Sequence, residues 1–114
     1  NMDMIGRTEC IYFENNYLFF IMSRKGKRFF KKAISLASSD DLKVVALRPK
    51  QVNVISTLIS GHRNFDRCGI PTAFLCTGMH GDCRTPDDTP DKIDYQNLEN
   101  IVLWLIEMVP TLKN

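Results

Sequence analysis

Asp94-Tyr95-Gln96-Asn97-Leu98-Glu99-Asn100-Ile101-Val102-Leu103-Trp104-Leu105-Ile106-Glu107-Met108-Val109 is the clearest stretch of the chain. Asp94 is a good N-cap, because its carboxylate can accept from an unsatisfied N–H of the first turn. Leu98, Ile101, Val102, Leu105, Ile106 and Val109 then repeat at steps of three and four, the period of one helix face. Leu103, Trp104 and Met108 widen that stripe. A helix apolar on so much of its circumference is sandwiched within a domain or contributes to a subunit contact.

Upstream of it the periods alternate. Ile70 to Cys76 is an apolar strand run, and Leu42 to Leu47 is a second, closed by Arg48-Pro49 because the residue before proline is pushed out of helical geometry. Tyr17 to Met22 is a third, rich in aromatic and β-branched residues, and Glu14-Asn15-Asn16 separates it from Ile11 to Phe13, which predicts a hairpin. Lys27 to Ser38 spaces Phe29, Phe30, Ala33, Ile34 and Ala37 as an amphipathic helix with a basic outer face. His62 to Cys68 forms a short helix before Gly69, Met2 to Ile5 is a short apolar stretch, Gln51 to Ile59 mixes strand and helix formers, and Thr77 to Lys92 reads as loop. Strands alternating with helices give an α/β fold, a mixed sheet flanked by helices. At 114 residues and 44% hydrophobic content, one domain spanning 1–114 is expected.

The bulk charge excludes little by itself. Fifteen Lys plus Arg against thirteen Asp plus Glu leave a net charge of +2, too small for a general attraction to nucleic acid or an anionic membrane. Tyr17 to Met22 and Ile101 to Ile106 fall far short of the roughly 20 apolar residues that cross a bilayer. Asn1 to Arg7 has none of the charge, apolar core and cleavage pattern of a secretory leader. The run Arg24-Lys25-Gly26-Lys27-Arg28, continued by Lys31-Lys32, fits either phosphate or an acidic partner, or a solvated helix face; no nucleic-acid module accompanies it, so no nucleic-acid partner is expected. Cys10, Cys68, Cys76 and Cys83 lack a CxxC pair, which points to free thiols, although Cys76 and Cys83 flank one loop and are open to pairing.

Three motifs carry a resemblance. Asn1-Met2-Asp3-Met4-Ile5-Gly6-Arg7 is similar to a strand-end NxDMIGR; Ser60-Gly61-His62-Arg63-Asn64-Phe65 with Gly69-Ile70-Pro71 is similar to SDHxxFxxxGIP; Thr77-Gly78-Met79-His80 through Asp82 to Pro86-Asp87-Asp88-Thr89-Pro90-Asp91-Lys92-Ile93 is similar to TGxHxDYHxPxDTxDKI. In this order they resemble the C-terminal half of the zinc-dependent aminopeptidases, the di-zinc exopeptidase family that also includes glutaminyl cyclase. The resemblance implies part of that family's α/β/α sandwich, with Asp3 at a zinc-ligand position.

The departures from the family pattern shape the functional expectation. Where the family places a ligating histidine, the chain reads Asp82-Cys83-Arg84, and a guanidinium that stays protonated offers zinc no lone pair. SDH is replaced by Ser60-Gly61-His62. The other ligands and the general-base glutamate lie upstream of NxDMIGR in the family. A two-metal site needs several ligands around two ions and a base for the bridging water. Asp3 alone of that inventory remains, so no catalytic residue and no cofactor is expected, and zinc at most weakly.

Each motif residue also has a plainer role. Asp3 either touches a metal, caps a turn or pairs with Arg84. Arg84 either neutralises the old acidic pocket and holds a carboxylate, or is a solvated loop residue. His62 and His80 invite metal or acid–base chemistry, but two separate histidines make no constellation, and structural hydrogen bonding is expected of both. Asp88 with Thr89 orders the loop, and Asp82 and Asp88 with Arg84, His62 and His80 make up what the resemblance leaves of the family's pocket. The expected function is a non-catalytic binding or assembly module with a peptide or protein partner, self-associating through the C-terminal helix or an open sheet edge. The alternative is an aminopeptidase completed by a missing half.

Overall fold

The computed structural model describes residues 1–9, 16–36, 39–47 and 61–112. Its centre is strand β1 (Tyr17–Met22), which lies between β2 (Lys43–Leu47) and β3 (Ala73–Cys76) in a three-stranded sheet of order β2-β1-β3. β1 runs parallel to β2, with Tyr17 opposite Lys43 and Ile21 opposite Leu47. It runs antiparallel to β3, with Phe19 opposite Cys76 and Met22 opposite Ala73. A central strand covered on both faces needs an apolar residue at nearly every position, and Tyr-Leu-Phe-Phe-Ile-Met supplies them. The sheet is therefore mixed and the class α/β. Both sides of β1 between Phe19 and Ile21 are taken by β2 and β3. The Ile11 to Phe13 arm of the predicted hairpin, the Gln51 to Ile59 segment and the Ser38 end of the first helix lie outside the described residues.

Helix α1 (Gly26–Leu36) makes the parallel crossover from β1 to β2. It opens one residue earlier than its stripe predicts, because Ser23 caps it: the Ser23 hydroxyl accepts from Gly26 N at 3.0 Å, and its carbonyl accepts from Lys27 N at 3.0 Å. The same hydroxyl accepts from Thr72 N at 3.2 Å. This junction is tight enough to demand glycine, since a Cβ at position 26 would stand 2.5 Å from the Thr72 carbonyl oxygen. It also explains why β3 begins at Ala73 rather than Ile70: Pro71 has no N–H to give and that of Thr72 goes to Ser23.

Beyond β3 the N-terminal segment extends the sheet. Met2 bridges Leu75 in parallel, Leu75 N donates to Asn1 O at 2.9 Å, Asp3 N to Leu75 O at 3.1 Å and Thr77 N to Met4 O at 3.0 Å. On the opposite side of the sequence gap, α2 (His62–Arg67) closes at Gly69, whose φ of 77° is left-handed and whose N–H donates to Asp66 O at 2.9 Å.

Helix α3 (Tyr95–Met108) is capped by Asp94, which accepts from Asn97 N at 3.0 Å, and continues as a 3-10 turn over Val109–Leu112. Its buried face is Asn97, Ile101, Trp104 and Met108. That differs from the stripe read in the sequence: Val102, Ile106 and Val109 are exposed, and only Ile101 of the six lies fully in the core. Two side chains decide the rotation. The Trp104 indole is the largest buried group, and Asn97, fully enclosed, donates from Nδ2 to Tyr17 O at 3.1 Å, fastening the helix to β1.

The main core lies on one sheet face, where Leu18, Phe20, Ala73 and Leu75 meet Phe30 of α1 and Ile101, Trp104 and Met108 of α3. Phe20 stands edge-on to both Trp104, centroids 5.7 Å apart, and Phe30, 5.4 Å apart. On the other face a smaller cluster of Ile21, Phe74 and Cys76 takes in Met4, Phe19 and Leu47, and His62 of α2 stacks on Phe74. Trp104→Ala is expected to cost about 3–5 kcal/mol, read as a lowered urea midpoint, because the cavity opens against sheet and both helices at once.

Candidate functional site

The residues of the three motifs converge on the end of β3. The N-terminal segment passes β3 and turns at Met4, whose φ of 57° is left-handed and unusual for a side chain of that size. The conformation is held from outside: the Met4 carbonyl accepts from both Thr77 N at 3.0 Å and Thr77 Oγ1 at 2.9 Å. Asp3 is exposed one residue earlier, and its carboxylate has no hydrogen-bond or ion-pair partner among the described residues. It lies close enough to Cys76 to be felt there. Burial pushes the Cys76 thiol up, a backbone hydrogen bond from Gly78 opposes this, and the Asp3 charge adds to the rise.

Past Met4 the chain reaches its most connected polar group. Gly6 O accepts from Asp94 N at 2.8 Å, and the Thr8 hydroxyl bonds to the Asp94 carboxylate, so the segment is laid against the start of α3. Arg7 points inward and is buried. Its guanidinium donates to Asp82 Oδ2 at 3.1 Å, to Asp88 Oδ1 at 3.4 Å and to the Glu9 carboxylate. Lys92 Nζ reaches the same Asp82 oxygen at 2.8 Å. His80 is partly buried beside them with its side chain largely covered, its Nε2 4.0 Å from Asp88 Oδ2 and its Nδ1 without a hydrogen-bond partner among the described residues. The hydrogen bond from Lys92, reinforced by that from Arg7, holds the Asp82 carboxyl below the usual aspartate range.

Arg84 does not join this group. It sits in a turn in which Thr85 N donates to Asp82 O at 3.0 Å, its φ of 64° is left-handed, and its side chain is exposed without an ion pair among the described residues. Asp3 and Arg84 are accordingly not paired with each other. His62 is held apart from His80, its ring stacked on Phe74 with centroids 5.1 Å apart and 18° between planes. Burial lowers the His62 pKa. The structure therefore brings His80, Asp82 and Asp88 together around Arg7 and leaves Asp3, His62 and Arg84 outside that cluster.

Among the described residues no three His, Cys, Asp or Glu side chains stand close enough to hold a metal ion, and the two loop carboxylates of the motif already carry cations. Cys76 and Cys83, left open as a pair, are free thiols, as is Cys68. Arg24, Lys25, Lys27, Arg28, Lys31 and Lys32 are all exposed; of the two phenylalanines among them, Phe30 enters the core and Phe29 stays on the rim, edge-on to it. Among the described residues no helix is long and apolar enough to cross a membrane. The residue that sequence reasoning passed over is Arg7. Its signal was an arginine closing an apolar stretch in a chain whose distant loop is rich in aspartate, a pattern that says nothing of proximity.

Two outcomes follow. Arg7→Met removes the donor that Asp82 and Asp88 share; the expected result is a lowered urea midpoint, with faster amide exchange across 80–94 as the check. The His62 pKa is lowered from 6.5, so the ring is neutral in both states at higher pH and its contribution is complete there. As pH falls below about 6.5 the unfolded chain takes up the proton first and stability is lost. His62→Phe keeps the stack and should flatten that loss in urea titrations at about pH 7.5 and 5.5; parallel pH slopes for the two proteins would refute the assignment.

No family model, no curated protein and no solved structure matches the chain. Its likeness to zinc aminopeptidases rests on the three motifs themselves.

Proposed function

We propose that this chain is a non-catalytic, degenerate member of the zinc-aminopeptidase-like fold, corresponding to the C-terminal half of that α/β/α sandwich, and that its work is binding or assembly. The observation that carries this reading is Arg84, exposed in a left-handed turn at the position where the family motif has its histidine ligand. A guanidinium stays protonated and offers zinc no lone pair. The mixed sheet, and the docking of the NxDMIGR-like segment beside β3, are consistent with that lineage. With arginine at the ligand position, the expected partners are a peptide, another protein or further copies of the chain.

A second reading has one observation in its favour. Asp3, the retained ligand position, is exposed and uncommitted among the described residues, beside a strained Met4. A completing half that brought two zinc ions to Asp3 would restore hydrolysis of N-terminal residues from peptides. Arg84, if it lay near those ions, would be repelled by an amount on the order of a kcal/mol or more at a partly screened site.

Elemental analysis of the purified protein, with calorimetric zinc titration of the wild type and Asp3→Ala, separates the two. No stoichiometric zinc, or zinc uptake indifferent to Asp3→Ala, is the expected result. Near-stoichiometric zinc lost on Asp3→Ala would overturn the non-catalytic reading and favour the composite enzyme.

A further inference from the structure

Helix α3 is apolar on two opposite sides. Asn97, Ile101, Trp104 and Met108 enter the core, while Val102, Leu103, Ile106 and Val109 are 46% to 64% exposed. Val102, Ile106 and Val109 follow each other at four and three residues, so they form one continuous ridge pointing away from the sheet. An apolar ridge of this kind, directly behind a core-facing one, marks an interaction surface.

Charge identifies what fits it. α3 carries Glu99 and Glu107 and no Lys or Arg, so its charge is −2. α1 carries Lys27, Arg28, Lys31 and Lys32 and no Asp or Glu, so its charge is +4. All six of these side chains are exposed. Both helices cover the same sheet face, since Phe30 and Trp104 share one cluster, and their outer sides form a single layer with a basic half and an apolar, acidic half. Such a layer is complementary to a copy of itself turned about a two-fold axis, with α1 of each protomer lying on α3 of the other. The aliphatic stems of the lysines and the rim residue Phe29 would then cover the ridge while their charged ends meet Glu99 and Glu107. Pairing α3 directly on its twin would instead gather four carboxylates without a cation. An anionic ligand on α1 alone would leave the ridge in water.

We infer that a second copy of this chain covers the outer face of α3, with α1 and α3 exchanged across a two-fold axis. The inference rests on the assembly reading above by naming its partner, and its test is independent of zinc. Two helices of this length make an interface near the lower bound for specific association, so a dissociation constant in the micromolar range is expected.

The test is sedimentation equilibrium of the full chain at low salt, with circular dichroism confirming that each variant is folded. The wild type should be dimeric. Glu99→Lys with Glu107→Lys, and separately Lys31→Glu with Lys32→Glu, should each weaken association by about tenfold or more, and an equimolar mixture of the two should restore it. Ile106→Asp should abolish it in any background. A wild type that stays monomeric at about 200 µM, some hundredfold above a low-micromolar constant, overturns the inference while leaving the zinc result to stand on its own. A dimer indifferent to both charge reversals, or to Ile106→Asp, overturns it equally.

Discussion

The guanidinium of Arg7 ties the N-terminal segment to the loop after β3. A buried arginine is tolerable only when its donors are used, and here they go to carboxylates from its own segment and from the loop after β3. Because Arg7 follows the stretch that hydrogen-bonds to β3, fixing its head fixes the path of that stretch as well. Because Asp82 is also bonded to Lys92, the same head sets the loop that leads into α3. The His80 side chain lies beside this group, its Nε2 4.0 Å from Asp88 Oδ2.

Packing below this cluster obeys a simpler logic. β1 is the only strand with a described neighbour strand on both sides, and helices α1 and α3 cover one of its faces. The two tightest junctions involve polar groups rather than apolar ones. Ser23 serves the start of α1 and the approach to β3 with one hydroxyl, and Asn97 crosses from α3 to the β1 backbone. These two side chains set the register of the layers while the aromatic group of Phe20, Phe30 and Trp104 supplies their cohesion.

The parts legible in the sequence were those fixed by local pattern. The run Tyr17 to Met22 coincides with β1 to the residue, and Asp94 caps α3 as its position ahead of an apolar period implies. The orientation of α3 was not legible, because nearly every position of Ile101 to Ile106 is apolar and hydrophobicity alone does not rank two candidate faces. The volume of Trp104 and one amide bond from Asn97 made the choice. For the site, motif likeness singled out Asp3, Arg84 and the aspartates of the loop, yet the contact that organises them spans 75 positions, from Arg7 to Asp82. No period or propensity reports a pairing at that separation. His62 and His80, adjacent in the mind of anyone reading for ligands, are parted by the sheet's own demand that Phe74 be covered.

The strip formed by Asn1 to Met4 along β3 has a consequence for how the molecule is made. Its partners follow it by 72 positions, from Asn1 to Ala73. During synthesis at about 5–20 residues per second this strip waits several seconds for the strand it will flank. The crossover from β1 through α1 to β2 is contiguous and can close in the meantime, whereas β3 arrives with one side offered to β1 and the other bare. Assembly of the domain is thus ordered in time: the strip and β1 are both waiting when β3 emerges, and α3, which covers the main core, is made after all three strands.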